Sequence, residues 1–388
     1  MARRILIVRG HLVNPWELAP WSELPEEFAV SYLVTGSNRF SLPERLTPVP
    51  VRALRDVLPR GRLGEVGAAL IGDRYLSVDA AFADADIVHA EELSFWFAAE
   101  AARRRARGGF RLVQTVWETL PFLESFRNHR ARRHRREVLA ATDLFLPATR
   151  RAADALLLEG VPPERIRVCP PGVDVGRFAQ GDPGPAPAEY VILSPGRLVW
   201  EKGHHDVLRA VAALVRGLVP VPEAVRASIR ALIVGSGPEQ RRLAAYAREL
   251  GLGAAVEFRS LPYEEMPSAF ARASAMVLAS LPSAGAMYHL FDVPRAFWEE
   301  QFGMVLAESM AAGLDIVATT SGAIPEVLAG TRAQLVAPGD WMGIARALAA
   351  GALLRAPGER VAYLPEVVEH FSTRAAAARL ADAYRSLV

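Results

Sequence analysis

The sequence is almost without lysine: of its 45 basic side chains, 44 are arginine and one, Lys202, is lysine. Cysteine is equally scarce, and the single Cys169 excludes both a disulfide framework and a thiolate zinc cluster. No run of about 18 apolar residues exists, so a spanning helix is excluded. The apolar run behind Arg3 and Arg4 is only Ile5 to Val8, too short for a signal peptide, so a cytoplasmic protein is expected. A net charge of +2 gives no overall argument for a nucleic-acid binder. With 51% hydrophobic and 23% charged residues in 388, the chain is globular and suits two or three domains. The excess of arginine is first a coding bias, which makes the one retained lysine worth locating.

Short β-branched runs alternate with longer helical stretches along nearly the whole chain, the pattern of an α/β protein with parallel sheets. Strands are predicted at 4–8, 28–34, 87–89, 111–116, 144–147 and 165–169, and again at 190–194, 230–234, 256–259, 275–279, 315–318 and 334–336. Between 176 and 189 three prolines and three glycines break the periodicity, which places a hinge there. The expected division is a first domain at 1–178, a second at 190–371, and a helix at 372–388 returning to the first. In open α/β sheets ligands collect beyond the carboxyl ends of strands, so two such domains face to face predict a cleft lined by strand-to-helix loops.

Three loops of the second domain carry the chemistry. The first, 195–203, holds Arg197 and Lys202 five residues apart, a planar fork and a compact point charge that together suit a diphosphate. The second, Val234-Gly235-Ser236-Gly237-Pro238-Glu239, ends a strand, and its glycines allow close backbone approach. The third runs from Trp298 through Glu300, Phe302, Gly303, Met304 and Val305 to Glu308. A helix starting near Gly303 points its unpaired amides at whatever lies ahead, with Glu300 before it and Glu308 one to two turns inside.

The segments GRLVWEKG, VGSGP, EQFGMVLAESMAAG and TTSGAIPEV, in this order and spacing, resemble the nucleotide-binding domain of retaining glycosyltransferases of family 4, which have the two-Rossmann GT-B fold. The stretch from Pro170 to Phe178 resembles the segment that ends the first domain there. By position, the resemblance implies that Arg197 and Lys202 hold the diphosphate of a nucleoside diphosphate sugar. Glu300 would touch the transferred sugar, and the amides of Phe302 to Val305 would meet sugar and phosphate. Glu308 would bind the ribose diol, with Gly235 and Gly237 along the nucleotide and Leu261 against the base. It implies no metal and no cofactor beyond the sugar nucleotide, a UDP or GDP sugar, and an acceptor that is a glycan, lipid-linked or a small molecule.

Two features depart from the family pattern. Nineteen residues, 281–299, lie between Ser280 and Glu300 where the family has a few, and their aromatics suit either a flap on their own domain or a wall of the sugar pocket. In the first domain, where the family shows a His-Asp-like pair, stand Trp117 and Glu118, a ring face for a sugar and a hydroxyl acceptor. His89 at a strand end and Gly10 after the first strand complete the acceptor-side candidates. Within 103–136, eleven arginines face only Glu118 and Glu124, so a solvated helix face and docking on an anionic membrane both stay open. No aromatics are interleaved there to stack bases, which argues against nucleic acid. Two rival functions remain: a sugar-nucleotide epimerase of the same fold, and a catalytically idle homologue that binds a nucleotide sugar.

Overall fold

In a computed structural model of the chain, which describes residues 2–59, 64, 67, 71–105, 107–123, 129–181, 188–284 and 297–387, the β-branched runs form two parallel sheets. The first sheet contains β1 (Arg3–Ile7), β2 (Phe28–Thr35), β3 (Thr47–Val51), β4 (Ile87–Glu91), β5 (Arg111–Val116) and β6 (Leu144–Pro147), in the order β3-β2-β1-β4-β5-β6. The second contains β7 (Tyr190–Pro195), β8 (Ile229–Val234), β9 (Val256–Arg259) and β10 (Ala275–Leu278), then, after the short antiparallel pair β11 (Ser283–Ala284) and β12 (Phe297–Trp298), β13 (Asp315–Thr319) and β14 (Gln334–Val336). Its order, β14-β13-β10-β7-β8-β9, repeats the first. Both reverse direction beside their first strand, so each has a switch point, between β1 and β4 and between β7 and β10, where strand-end loops diverge.

The sequence explains these sheets directly. Parallel strands covered by helices on both faces read as continuous apolar runs. Accordingly β6, β10 and β13 are buried at every residue. Two expectations need correction. Thr47–Val51 is a strand that the alternation of Pro48 and Pro50 conceals, and it is tolerated because β3 is an edge strand, where a missing amide costs nothing on the open side. Residues 165–169 do not form a strand. They make one bridge, Phe145 to Ile166, and two hydrogen bonds to β6 before Pro170 and Pro171 end the donors.

By its contacts the chain divides into two units, whose described parts lie in Met1–Gly172 with Thr373–Val388, and in Val173–Ala284 with Phe297–Ser372. The division thus falls ahead of the expected boundary at 178. The helix Val175–Ala179 groups with the second unit because buried Phe178 packs edge-on against Phe270 at 5.1 Å and Tyr263 at 6.0 Å. The last helix, Thr373–Arg385, groups with the first: Trp21 Nε1 donates to Tyr384 Oη at 2.8 Å, and Leu380 and Ala381 join Ile5 and Ile7 in one core. Residues 182–187 of the expected hinge lie outside the described residues.

The basic stretch 103–136 is far less bare than its own composition suggests, because its acids come from elsewhere. Arg103 and Arg133 share Glu137 at 2.9 and 2.8 Å, Arg105 and Arg111 share Asp143 at 2.8 and 3.1 Å, and Arg135 is held by Glu159. Among the described residues no helix is long and apolar enough to cross a membrane.

Candidate functional site

Three strand-end loops of the second unit meet around one ion pair. The loop after β7 turns through Trp200–Lys202 and places Lys202 Nζ 2.6 Å from Glu300 Oε2, with the side chains only 14% and 6% exposed. The loop after β10 supplies Ser280, whose Oγ donates to the same Oε2 at 2.6 Å. The loop after β13 grips the backbone of Glu300: Ala323 N donates to Glu300 O at 2.8 Å, and Glu300 N to Ser321 Oγ at 3.3 Å. A Cβ on Gly322 would stand 2.1 Å from Glu300 O, so only glycine lets this loop approach so closely. Beside the pair, the ring of Trp298 lies 5.0 Å from Lys202 Nζ, a cation–π contact contributed by the 281–299 segment. Residues 285–296 of that segment, with Met287, Tyr288, Leu290 and Phe291, lie outside the described residues.

The expected helix after Glu300 spans Met304–Ala311 and starts from Gly303, whose φ of 78° is left-handed backbone that glycine adopts without strain. Among the described residues no acceptor receives the amides of Gly303, Met304 and Val305. They form a donor cluster of the kind that binds anions. Phe302 contributes only backbone, because its ring is buried edge-on against Phe371 at 5.6 Å.

Arg197 lies on the same β7 loop, is exposed, and makes no ion pair among the described residues. Its backbone is pinned by a residue that no local pattern marks, His204, whose Nε2 donates to Arg197 O at 3.1 Å while Nδ1 accepts from Ser194 Oγ at 2.8 Å. Burial pushes this imidazole down to about 4, so it stays neutral and keeps that tautomer.

Glu308 is buried one turn into the helix, and Tyr263 Oη donates to its Oε1 at 2.9 Å. Tyr263 likewise carries no local signal; it stands two residues after Leu261, which is half-buried in the loop after β9. Burial raises Glu308 to about 7, against an ordinary 4.5. Its folded form therefore keeps a proton that the unfolded chain has already lost between those values, and its contribution to stability falls as pH rises through that window. Glu308→Gln is expected to raise stability by roughly 3 kcal/mol at about pH 8 and to change little at about pH 5, as read by denaturant midpoints at the two values.

Gly235 and Gly237 approach backbone, as expected, but the backbone is that of the neighbouring loop. A Cβ on Gly235 would lie 1.8 Å from Gly196 O, and one on Gly237 2.3 Å from Leu198 O. Gly235 N is spent on Arg259 O at 2.8 Å, and the helix that follows starts only at Gln240. Gly235→Ala is expected to cost about 2–3 kcal/mol of stability, measured by urea unfolding, because carbonyl oxygen cannot yield as a side chain would.

In the first unit the structure corrects two acceptor-side candidates. His89 is fully buried, with Nδ1 at 2.6 Å from Tyr384 Oη and Nε2 at 2.8 Å from Thr115 Oγ1, so no ring nitrogen is left for a ligand, and burial holds it neutral. Gly10 makes room for Phe97, whose Cδ1 would stand 2.5 Å from a Cβ there. Trp117 and Glu118 do stand beyond β5. Trp117 Nε1 donates to Glu91 Oε1 at 2.7 Å, and Glu118 Oε1 accepts the amides of Thr119 and Leu120, both at 3.0 Å. At this unit's switch point the buried Arg9 is taken up by Glu91 at 2.6 Å. Glu92 beside it holds a left-handed φ of 63° and accepts Trp117 N at 2.9 Å. Among the described residues no group of three or more His, Cys, Asp or Glu side chains is arranged to hold a metal ion.

The sequence matches two adjacent family profiles: Glycosyltransferase Family 4 over residues 23–177 and Glycosyl transferases group 1 over 178–356. It is 32% identical over 243 residues to a D-inositol 3-phosphate glycosyltransferase of Corynebacterium urealyticum, covering 58% of this chain and 51% of that one. It is 28% identical over 393 residues to the protein of that name from Acidothermus cellulolyticus, covering 95% and 79%. The chain spans about half the length of several of the curated relatives it matches. In fold it is similar to Anabaena HepE in complex with UDP, with a TM-score of 0.68 at 17% identity and coverage of 99% and 100%. It is likewise similar to sucrose-phosphate synthase from Thermosynechococcus elongatus, with a TM-score of 0.69 at 18% identity and 99% of both chains covered. The fold is GT-B, and the chain belongs to glycosyltransferase family 4.

Proposed function

We propose that the protein transfers a sugar, with retention of anomeric configuration and without a metal, from a UDP or GDP sugar to a glycan, lipid-linked or small-molecule acceptor. The observation that carries this reading is the buried Lys202–Glu300 pair set directly before the amides of Gly303, Met304 and Val305, which no acceptor among the described residues receives. Lys202, Arg197 and those amides hold the diphosphate, and fixed cations offset the charge that grows on the β-phosphate as the bond from sugar C1 to phosphate oxygen breaks. The acceptor oxygen forms its bond to C1 on the face the diphosphate leaves, and its proton passes to that phosphate oxygen. No covalent nucleophile is required. Glu300 takes hydroxyls of the sugar, Glu308 the ribose diol, and Gly235, Gly237 and Leu261 line the nucleotide.

Acceptor recognition is assigned to the first unit. With Arg9 neutralised by Glu91, the groups beyond β4 and β5 are mainly hydrogen-bond acceptors, Glu92 and Glu118, beside the Trp117 ring, which suits a polyol. The D-inositol 3-phosphate named for the relatives would bring a phosphate, for which the described residues of this switch point offer Arg9, already paired with Glu91.

The reading is tested by incubating donor and acceptor with a chelator present and measuring the anomeric coupling of the product by NMR. Transfer with retention supports it; inversion, or a requirement for metal, overturns the corresponding clause. Donor incubated alone separates the epimerase reading, which predicts an isomerised sugar nucleotide. Donor affinity is further expected to rise as pH passes upward through about 7, where Glu308 ionises and becomes a stronger acceptor, and Glu308→Gln should flatten that rise.

A further inference from the structure

The first unit has a second concave surface, at the end of its sheet opposite to the loops just described. Arg3 and Arg4 open β1, Asp86 precedes β4 and Arg111 opens β5, so all four lie at the amino ends of parallel strands. Together with Arg103, Arg104 and Arg107 they line a cavity of about 1090 Å³. Six guanidinium groups face it against two carboxylates, Asp79 and Asp86.

The arginines are not equivalent. Arg4 is held by Asp86 at 3.2 Å, Arg104 by Asp79 at 2.8 Å, Arg103 by Glu137 at 2.9 Å and Arg111 by Asp143 at 3.1 Å. Arg3 and Arg107 make no ion pair among the described residues, although the charge of Arg3 helps hold the nearby Asp86 carboxyl below its ordinary range. Arg3 NH1 is moreover buried without any hydrogen-bond acceptor. The paired arginines form the walls and the two unpaired ones remain for a ligand. Behind the arginines the cavity is backed by core: the buried rings of Phe82 and Phe110 lie 5.8 Å apart, and the Arg104 guanidinium sits 5.2 Å from the Phe82 ring.

We propose that this cavity binds a phosphate group carried on a small organic body, with Arg3 and Arg107 as its ligands. The volume is too large for a bare ion and the charge too positive for a neutral molecule. Guanidinium forks match phosphate oxygens in pairs. The site shares no residue with the Lys202–Glu300 centre, so it does not depend on the proposed reaction. A soluble phosphomonoester and the headgroup of an anionic lipid offer the same chemistry.

The test is calorimetric titration of the intact protein with glycerol 3-phosphate, and in parallel flotation with vesicles of phosphatidylglycerol and phosphatidylcholine in equal parts against phosphatidylcholine alone. Binding in either arm is expected to weaken at least tenfold in Arg3→Gln/Arg107→Gln and to persist in Lys202→Ala. The arm that responds identifies the source of the phosphate. Arg107→Glu, on an exposed turn where folding is not at risk, should abolish binding by itself. The proposal is overturned if neither probe binds, if binding survives in Arg107→Glu, or if it is lost in Lys202→Ala and kept in the arginine variants, which would place the anion at the other centre.

Discussion

Lys202→Ala is expected to lower kcat/KM for sugar transfer by about a thousandfold or more, since one fixed charge aimed at a developing oxyanion contributes several kcal/mol in a site shielded from water. The same change leaves Glu300 buried with Ser280 Oγ as the donor to its Oε2. Truncating one side of a buried pair costs about 3–5 kcal/mol, so a lower thermal midpoint should accompany the lost activity. Lys202→Arg separates the two effects. It keeps the positive charge for Glu300, hence most of the stability. But its broad planar fork does not fit where a compact ammonium sits between a carboxylate at 2.6 Å and an indole ring at 5.0 Å, so transfer should still fall about a hundredfold. Turnover near that of the parent protein in Lys202→Ala contradicts the diphosphate role.

Glu300→Gln should act in opposite directions on two measurements. Transfer should fall by about a hundredfold, because the carboxylate that takes the sugar hydroxyls is replaced by a weaker acceptor. Nucleoside diphosphate without the sugar should bind about tenfold tighter. In the free protein the Lys202 ammonium is engaged by Glu300, and an incoming diphosphate must compete for it; a neutral amide releases it. Calorimetry with the diphosphate and a kinetic assay with the sugar nucleotide read the two halves. Weakened diphosphate binding in Glu300→Gln would mean that Glu300 orients Lys202 and does not oppose the anion.

How far the sequence could lead is clearest at this pair. A lone lysine in an arginine-rich chain, five residues from an arginine beyond a strand, was enough to single out Lys202, and the Glu300–Gly303 order was enough to place a carboxylate ahead of a helix start. What holds Glu300 was not legible. Ser280, Ser321 and Gly322 belong to loops that converge only because β10 lies between β7 and β13, an adjacency set by sheet order and invisible to local spacing. Likewise nothing local singles out His204, and only its two partners from β7 and the following turn reveal a buried pin. His89 fails for the opposite reason. The strand-end position suggests a cleft, but the last helix covers it with Tyr384, which lies 295 residues away in sequence. The basic run at 103–136 is likewise incomplete when read alone, since Glu137, Asp143 and Glu159, from beyond its ends, take up five of its arginines. Pattern within a segment was dependable where burial alone decides structure, and blind where partners arrive from other segments.

The most direct test is a thermal-shift panel of UDP, GDP and their sugars, run with a chelator present on the parent protein and on Lys202→Ala. A ligand that binds the folded form alone raises the midpoint in proportion to its occupancy of the site. The account predicts a rise of several degrees with one of the two bases in the parent protein, and little or none in Lys202→Ala. No shift with any nucleotide, or the same shift in both proteins, would contradict it.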